Sequence, residues 1–172
     1  MMLVFRTAIL CLLFVVVIGQ PLTPSSRAQN DDIQHLLDKA EIEALIISYG
    51  MAQDKLDTDG YGAVFTEDAQ LDVAGDTRQG REEIRAIVEG LIENRDANAS
   101  ASTPAPALYH VISNTDIRII DDDEATHQSY WQTVRVGTYN VVTVGAMGRY
   151  EDVVVKRDLR WQIQSRKIIP FN

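Results

Sequence analysis

Cysteine is almost absent from this chain of 172 residues; Cys11 is the only one. No intrachain disulfide can form, and a thiolate zinc site is excluded. Histidine is scarce too: His35, His110 and His127 are scattered and do not make a metal-binding cluster. No glycine-rich phosphate loop appears. The chain is therefore expected to work without metal, nucleotide or flavin. Basic charge is short, with 16 Lys and Arg against 25 Asp and Glu for a net charge of −9. A phosphate-tracking nucleic-acid binder would show the opposite balance. Long apolar runs are limited to one, Ala8 to Ile18, which is short for a span of ~20 residues.

That run follows Arg6 and precedes a polar, Pro-containing stretch ending in Ser26-Arg27-Ala28. A basic start, a short apolar core and a small-x-small end make a secretory signal peptide. Cleavage is expected after Ala28, which places the protein outside the cell or in the periplasm; an uncleaved anchor helix is the alternative. The remaining 144 residues, 29–172, would form one domain. Losing Arg6 and Arg27 leaves 14 basic against 25 acidic residues, a net charge of −11. Cys11 leaves as well. A chain this acidic avoids nucleic acid and anionic membrane surfaces.

What is present divides into helices and then strands. Asp31 and Asp32 can cap a helix. Behind them Ile33, Leu36, Leu37, Ala40, Ile42, Leu45, Ile46 and Tyr49 recur at helical spacing, which predicts an amphipathic helix to about Leu56. A short helix over Tyr61 to Phe65, a strand over Ala69 to Val73, and a turn at Gly75-Asp76 follow. Ile84, Ile87, Val88 and Leu91 then predict a helix over about 81–95. Residues 96–107 are small and polar and read as a loop. Four stretches rich in β-branched and aromatic residues come last: Leu108–Ile120, Ala125–Val136, Val141–Lys156 and Leu159–Ile169. Their short connections predict antiparallel neighbours. The plan is α+β, a curved antiparallel sheet wrapped around the N-terminal helices.

Two residues are candidates for chemistry. On a strand, His110, Ile112 and Asn114 share a face. Taken alone, His110 reads as a hydrogen-bonded core histidine. Asp54 ends the first helix near its apolar stripe, and alone it reads as a solvated carboxylate. His35, beside Gln34 and Asp38 on the polar side of the first helix, and His127, just after the acidic turn, both read as solvated. Leu159, Trp161 and Ile163 share a face and read as core.

The strings LIISYGMAQDKLDTDGYGAVFTEDAQLDVAG and GREEIRAIVEGLI resemble the SnoaL-like families of the nuclear transport factor 2-like superfamily. LYHVISNTDIRIIDDDEATHQSYWQTVRV and GRYEDVVVKRDLRWQIQSRKI continue the resemblance in order, over about residues 33–169. It implies a cone of curved sheet with one deep apolar pocket. In scytalone dehydratase, lindane dehydrochlorinase and the bile-acid dehydratases an Asp–His pair works inside that cone. Asp54 and His110 match the pair, and Tyr49 matches a pocket tyrosine of the bile-acid enzymes. Ser129 falls where the scytalone enzyme has a second pocket histidine. The pocket-facing set implied is Asn114, Ser129, Trp131, Tyr150, Ile112 and Val73, with Tyr49, Asn114 or Tyr150 available to donate to a developing oxyanion.

The chemistry of such a pair is general. A neutral imidazole takes a proton near neutral pH, and a carboxylate on its far nitrogen fixes the tautomer. Dehydration, dehydrohalogenation and double-bond shift all follow, which points to a cofactor-independent lyase or isomerase for a small hydrophobic cyclic molecule. A non-catalytic carrier using the same cone, and an assembly domain using the sheet face, are the alternatives. Superfamily precedent implies a homodimer.

Overall fold

A computed structural model describes residues 24–98, 108–137 and 141–171. The apolar run at 8–18 and most of the loop expected over 96–107 lie outside these residues. Helix α1 spans Pro24–Lys55. It begins earlier than expected and carries no acid in its first turn, so Asp31 and Asp32 lie inside it rather than capping it. The point expected for cleavage, after Ala28, falls in its opening turns.

The stripe read from the sequence is only half used. Ile42, Ile46 and Tyr49 are buried, but Ile33, Leu36 and Leu37 are 49%, 67% and 53% exposed. The packed face starts instead at Asp38, which is 2% exposed. Its carboxylate accepts from Lys156 Nζ at 2.5 Å and from Trp161 Nε1 at 3.0 Å. Burial opposes ionisation of Asp38, yet the hydrogen bonds from Lys156, Trp161 and Gln34 outweigh it and lower its pKa. A polar residue thus anchors the helix where periodicity placed a solvated one.

Helix α1 stops sharply. Leu56 takes the left-handed conformation, φ 56°, and the Asp57 amide bonds back to the Ala52 carbonyl at 2.8 Å. This is a Schellman-type end with leucine in the place usually held by glycine. Asp57 then caps α2 (Thr58–Ala63) by accepting from the Gly60 amide at 2.9 Å. The short helix lies a few residues earlier than expected. Strand β1 (Phe65–Val73) turns through Ala74 and Gly75, φ 53° and 97°, into β2 (Asp76–Gln79). The sequence gives no hint of β2, whose four residues are all polar. Helix α3 covers Arg81–Asn98 and packs Ile84 and Val88 into the core. No helix among the described residues is long and apolar enough to cross a membrane.

The remaining strands are β3 (Leu108–Ile119), β4 (Glu124–Val136), β5 (Val142–Arg157) and β6 (Arg160–Pro170). Leu159 sits in the β5–β6 turn with φ 62° and is 90% exposed, so it does not share the core face of Trp161 and Ile163. The six strands form one curved, unclosed sheet in the order β2-β1-β6-β5-β4-β3. The meander from β3 to β6 is antiparallel, as the short turns require. The pairing of β1 with β6 is parallel, which makes the sheet mixed. No tight turn joins these two strands, so nothing local fixes their relative direction.

Two bulges decide which side chains face the helices. Register shifts occur between Ser113 and Asp116 in β3 and beside Ile163–Ser165 in β6. Each changes the parity of the inward face. In β6 the inward set moves from Trp161 and Ile163 to Arg166 and Ile168.

Candidate active site

Asp54 lies in the last turn of α1 and His110 at the start of β3. The two side chains are 12% and 7% exposed. His110 Nδ1 lies 2.6 Å from Asp54 Oδ1. The His110 main-chain N–H also donates to Asp54, at 2.9 and 3.1 Å to the two oxygens. One carboxylate thus grips both the backbone and the ring of the same residue. An ionised carboxylate only accepts, so Nδ1 is the ring nitrogen that donates to it, and in a neutral ring Nε2 holds the lone pair.

Close contact between helix and strand makes this possible. A Cβ at Gly50 would lie 3.3 Å from Ile112 Cδ1 and 3.6 Å from His110 Cβ. Glycine one residue after Tyr49 therefore lets β3 settle on α1. Tyr49 is 1% exposed and accepts a hydrogen bond from the Tyr61 hydroxyl at 3.3 Å. Its ring meets Tyr61, Phe65 and Tyr150 at centroid distances of 5.0, 6.0 and 5.7 Å. Trp131 stacks on Tyr150 at 5.9 Å and packs against Gly148, where a Cβ would come within 2.7 Å of its ring.

A second cluster sits deeper. Asp152 is flanked across the sheet by His127 on β4 and Arg166 on β6. Arg166 donates to both Asp152 oxygens, at 2.9 and 2.6 Å, and His127 Nδ1 lies 2.6 Å from Oδ2. All three side chains are fully buried. Burial disfavours the Asp152 charge, but the Arg166 cation and the hydrogen bonds from Arg166 and His127 lower its pKa all the same. Burial likewise works against the Arg166 charge, and Asp152 more than reverses it. The guanidinium carbon lies 4.0 Å from the Tyr49 ring centroid and 4.3 Å from that of Tyr150. Burial first, and then neighbouring Tyr49, raises the pKa of the Tyr150 and Tyr61 hydroxyls, so both stay protonated and can donate.

Several of these buried polar atoms have no hydrogen-bond partner among the described residues. They are His127 Nε2, Ser129 Oγ, Trp131 Nε1, Arg166 Nη1, Thr66 Oγ1 and Gln53 Oε1. Leaving one such group dry costs about 1–3 kcal/mol. Among the described residues no three His, Cys, Asp or Glu side chains gather to hold a metal ion.

The structure brings together Asp54, His110, Ile112 and Tyr49, and then Tyr150, Trp131 and Ser129. Two expected members stand apart. Asn114 is exposed in the β3 bulge with φ 54°, because the bulge ends the alternation that would have aligned it with His110. Val73 is 37% exposed at the end of β1. His127 is 0% exposed rather than solvated. It shares parity with Ala125, Ser129 and Trp131, and that alternation is a signal legible in the sequence. Arg166 has no such signal, since only the β6 bulge turns it inward.

Residues 34–167 match the SnoaL-like domain family, and the chain belongs to that family. No curated protein matches the chain. Among solved structures it is similar to an NTF2-like protein with a cystatin-like fold from Novosphingobium aromaticivorans, with TM-score 0.70 and 19% identity, covering 87% of this chain and 91% of that one. A candidate scytalone dehydratase from the same organism is similar with TM-score 0.66 and 21% identity, over 82% and 89% of the two chains. LinA is similar with TM-score 0.67 and 16% identity, over 82% and 90%. These likenesses define the fold class, a curved, unclosed sheet with helices packed against it.

Proposed function

We propose that the protein is a cofactor-independent lyase or isomerase acting on a small cyclic molecule, with Asp54 and His110 as the proton-transfer pair. The observation that carries this reading is the 2.6 Å contact that commits His110 Nδ1 to Asp54 and leaves Nε2 as the basic nitrogen. In an elimination, Nε2 takes a proton from carbon and the C–H electron pair becomes a double bond. The leaving oxygen departs with its own pair and receives the proton back from the imidazolium, so water is lost and the enzyme is restored. Asp54 stabilises the imidazolium between the two transfers. In this reading Tyr49 and the Arg166 N–H that has no partner among the described residues donate to negative charge developing on the substrate. The buried aromatic wall of Tyr49, Tyr61, Phe65, Trp131 and Tyr150 supports a ring-shaped ligand.

The same reading includes export, from the leader at 1–28, and a homodimer. Tyr109, Val111, Tyr130 and Met147, exposed on the outer face of β3 to β5, support the dimer.

A panel of hydroxylated and halogenated cyclic compounds tests the function, comparing the wild-type chain with His110→Ala. Turnover that survives a chelator and falls at least ~10²-fold in the variant is expected. Equal turnover by both proteins would overturn the assignment of His110. Binding by both with no turnover by either would favour a carrier.

A further inference from the structure

We infer that the outward face of α1 is an interface for a second copy of this chain, with the two helices packed antiparallel. The helix is apolar on two opposite sides. One side, with Ile42, Ile46 and Tyr49, is buried in the core. The other is a stripe of Ile33, Leu37, Ala40, Ala44, Ile47 and Met51, and all six are exposed. Its large members Ile33, Leu37, Ile47 and Met51 are 49%, 53%, 55% and 47% exposed, and Leu36 flanks them at 67%. Steps of 4, 3, 4, 3 and 4 residues separate the six. That is the 3.5-residue repeat with which one helix packs along another. The stripe runs for about 27 Å. A surface helix needs one apolar stripe to dock on its own domain, and a second on the far side marks a second contact. Residues 27–37 are all exposed. A helical overhang of that length is marginal in water unless something packs against it. Cleavage after Ala28 would leave the whole stripe in place.

The stripe is its own complement. Read from either end it runs large, large, small, small, large, large. A twofold axis level with Ile42 sets Ile33 against Met51 of the second copy, Leu37 against Ile47, and Ala40 against Ala44. The alanines meet at the centre, where small side chains let the helix axes approach to about 8 Å. The large side chains interlock on either side, and the overhanging start of each helix is covered by the end of the other. A parallel pair would leave the two overhangs packed only on one another. The stripe and its flanks offer roughly 600 Å² a copy, ~1,200 Å² for the pair, which reaches the lower bound for specific, stable association. Glu41 and Glu43 border the alanines and approach their counterparts across the axis, so the pair tightens as salt screens them. The same acids disfavour an anionic membrane as the occupant. This contact is separate from the outer sheet face, and a chain that used both would form assemblies larger than a dimer.

Disulfide trapping in the full chain tests this. Cys11 is the only native thiol, so the variants carry Cys11→Ala. Leu37→Cys with Ile47→Cys places two thiols ~15 Å apart along one helix, too far to pair within a chain. Across the antiparallel pair they face each other, and mild oxidation should convert most of the chain to a covalent dimer. Leu37→Cys alone should give little, because its own counterpart stands ~15 Å away. Sedimentation velocity over roughly 1–200 µM measures the reversible association. Leu37→Glu with Ile47→Glu should raise its Kd at least ~10-fold, with an unchanged circular dichroism spectrum because both sites are exposed. Val111→Glu, on the outer sheet face, should leave the crosslink yield within about twofold. No crosslink with the two cysteines, equal crosslinking by Leu37→Cys alone, a crosslink lost in Val111→Glu, or an association that weakens with salt would overturn the interface. A chain that stays monomeric at every concentration and adsorbs to phosphatidylcholine vesicles would give the stripe to a membrane instead.

Discussion

Replacing Asp152 with asparagine keeps the side-chain shape and removes the charge that balances Arg166. The guanidinium is fully buried and loses the carboxylate that receives two of its N–H groups. Breaking a buried ion pair from one side costs about 3–5 kcal/mol. The Tyr49 and Tyr150 rings, 4.0 and 4.3 Å from the guanidinium carbon, still attract the cation and hold the loss near the lower end. About 3 kcal/mol in a chain of this size corresponds to a fall in Tm of roughly 6–12 °C. Thermal and urea unfolding followed by circular dichroism at pH 7 measure it. The double variant Asp152→Leu, Arg166→Met should recover most of the loss, because two apolar groups of similar volume need no counter-charge. A fall below ~2 °C, or a double variant no better than the single one, would refute the claim that this pair is a buried, uncompensated liability when split. The wild type should also show the linked pH dependence. The folded carboxyl titrates below the ordinary aspartate value of 3.8, so the unfolded chain binds that proton more tightly. The stability contributed is complete above 3.8 and disappears as pH falls through the lowered value. Asp152→Asn should flatten that part of the profile.

Gly148→Ala should cost about 1–3 kcal/mol in urea unfolding, because a Cβ there would collide with the Ile169 carbonyl oxygen and come within 2.7 Å of the Trp131 ring. Asp38→Ala strands the Trp161 N–H and frees Lys156. A loss of about 2 kcal/mol is expected, with altered tryptophan emission, and an unchanged denaturation midpoint would count against the anchor. N-terminal sequencing of exported protein should begin at or near Gln29, and an intact Met1 in soluble cytoplasmic protein would contradict the signal-peptide reading.

The order of elements, β2 apart, and the pairing of Asp54 with His110 were legible in the sequence because both rest on local or recurring patterns. Helical periodicity placed the last turns of α1, and β-branched runs separated by short polar breaks placed the meander. Asp54 and His110 could be matched because the motifs around them resemble those of a family that keeps the pair. Ser129 and Trp131 came with the same resemblance, and alternation counted back two residues from Ser129 reaches His127.

Other features were decided only when the elements met. Whether Ile33 or Asp38 faced the core depended on where Lys156 and Trp161 arrived from the far end of the chain. The parallel partner of β1 is set by the return of β6, which no local signal describes. Bulges in β3 and β6 sent Asn114 outward and Arg166 inward, and a strand read at constant period two predicts the reverse for both. A one-residue register shift moves every following side chain to the opposite face, and its energy comes from partners across the sheet rather than from neighbours in sequence. That is the physical reason the Asp54–His110 pair could be read from the chain, while the buried cation over Tyr49 had to wait for the fold.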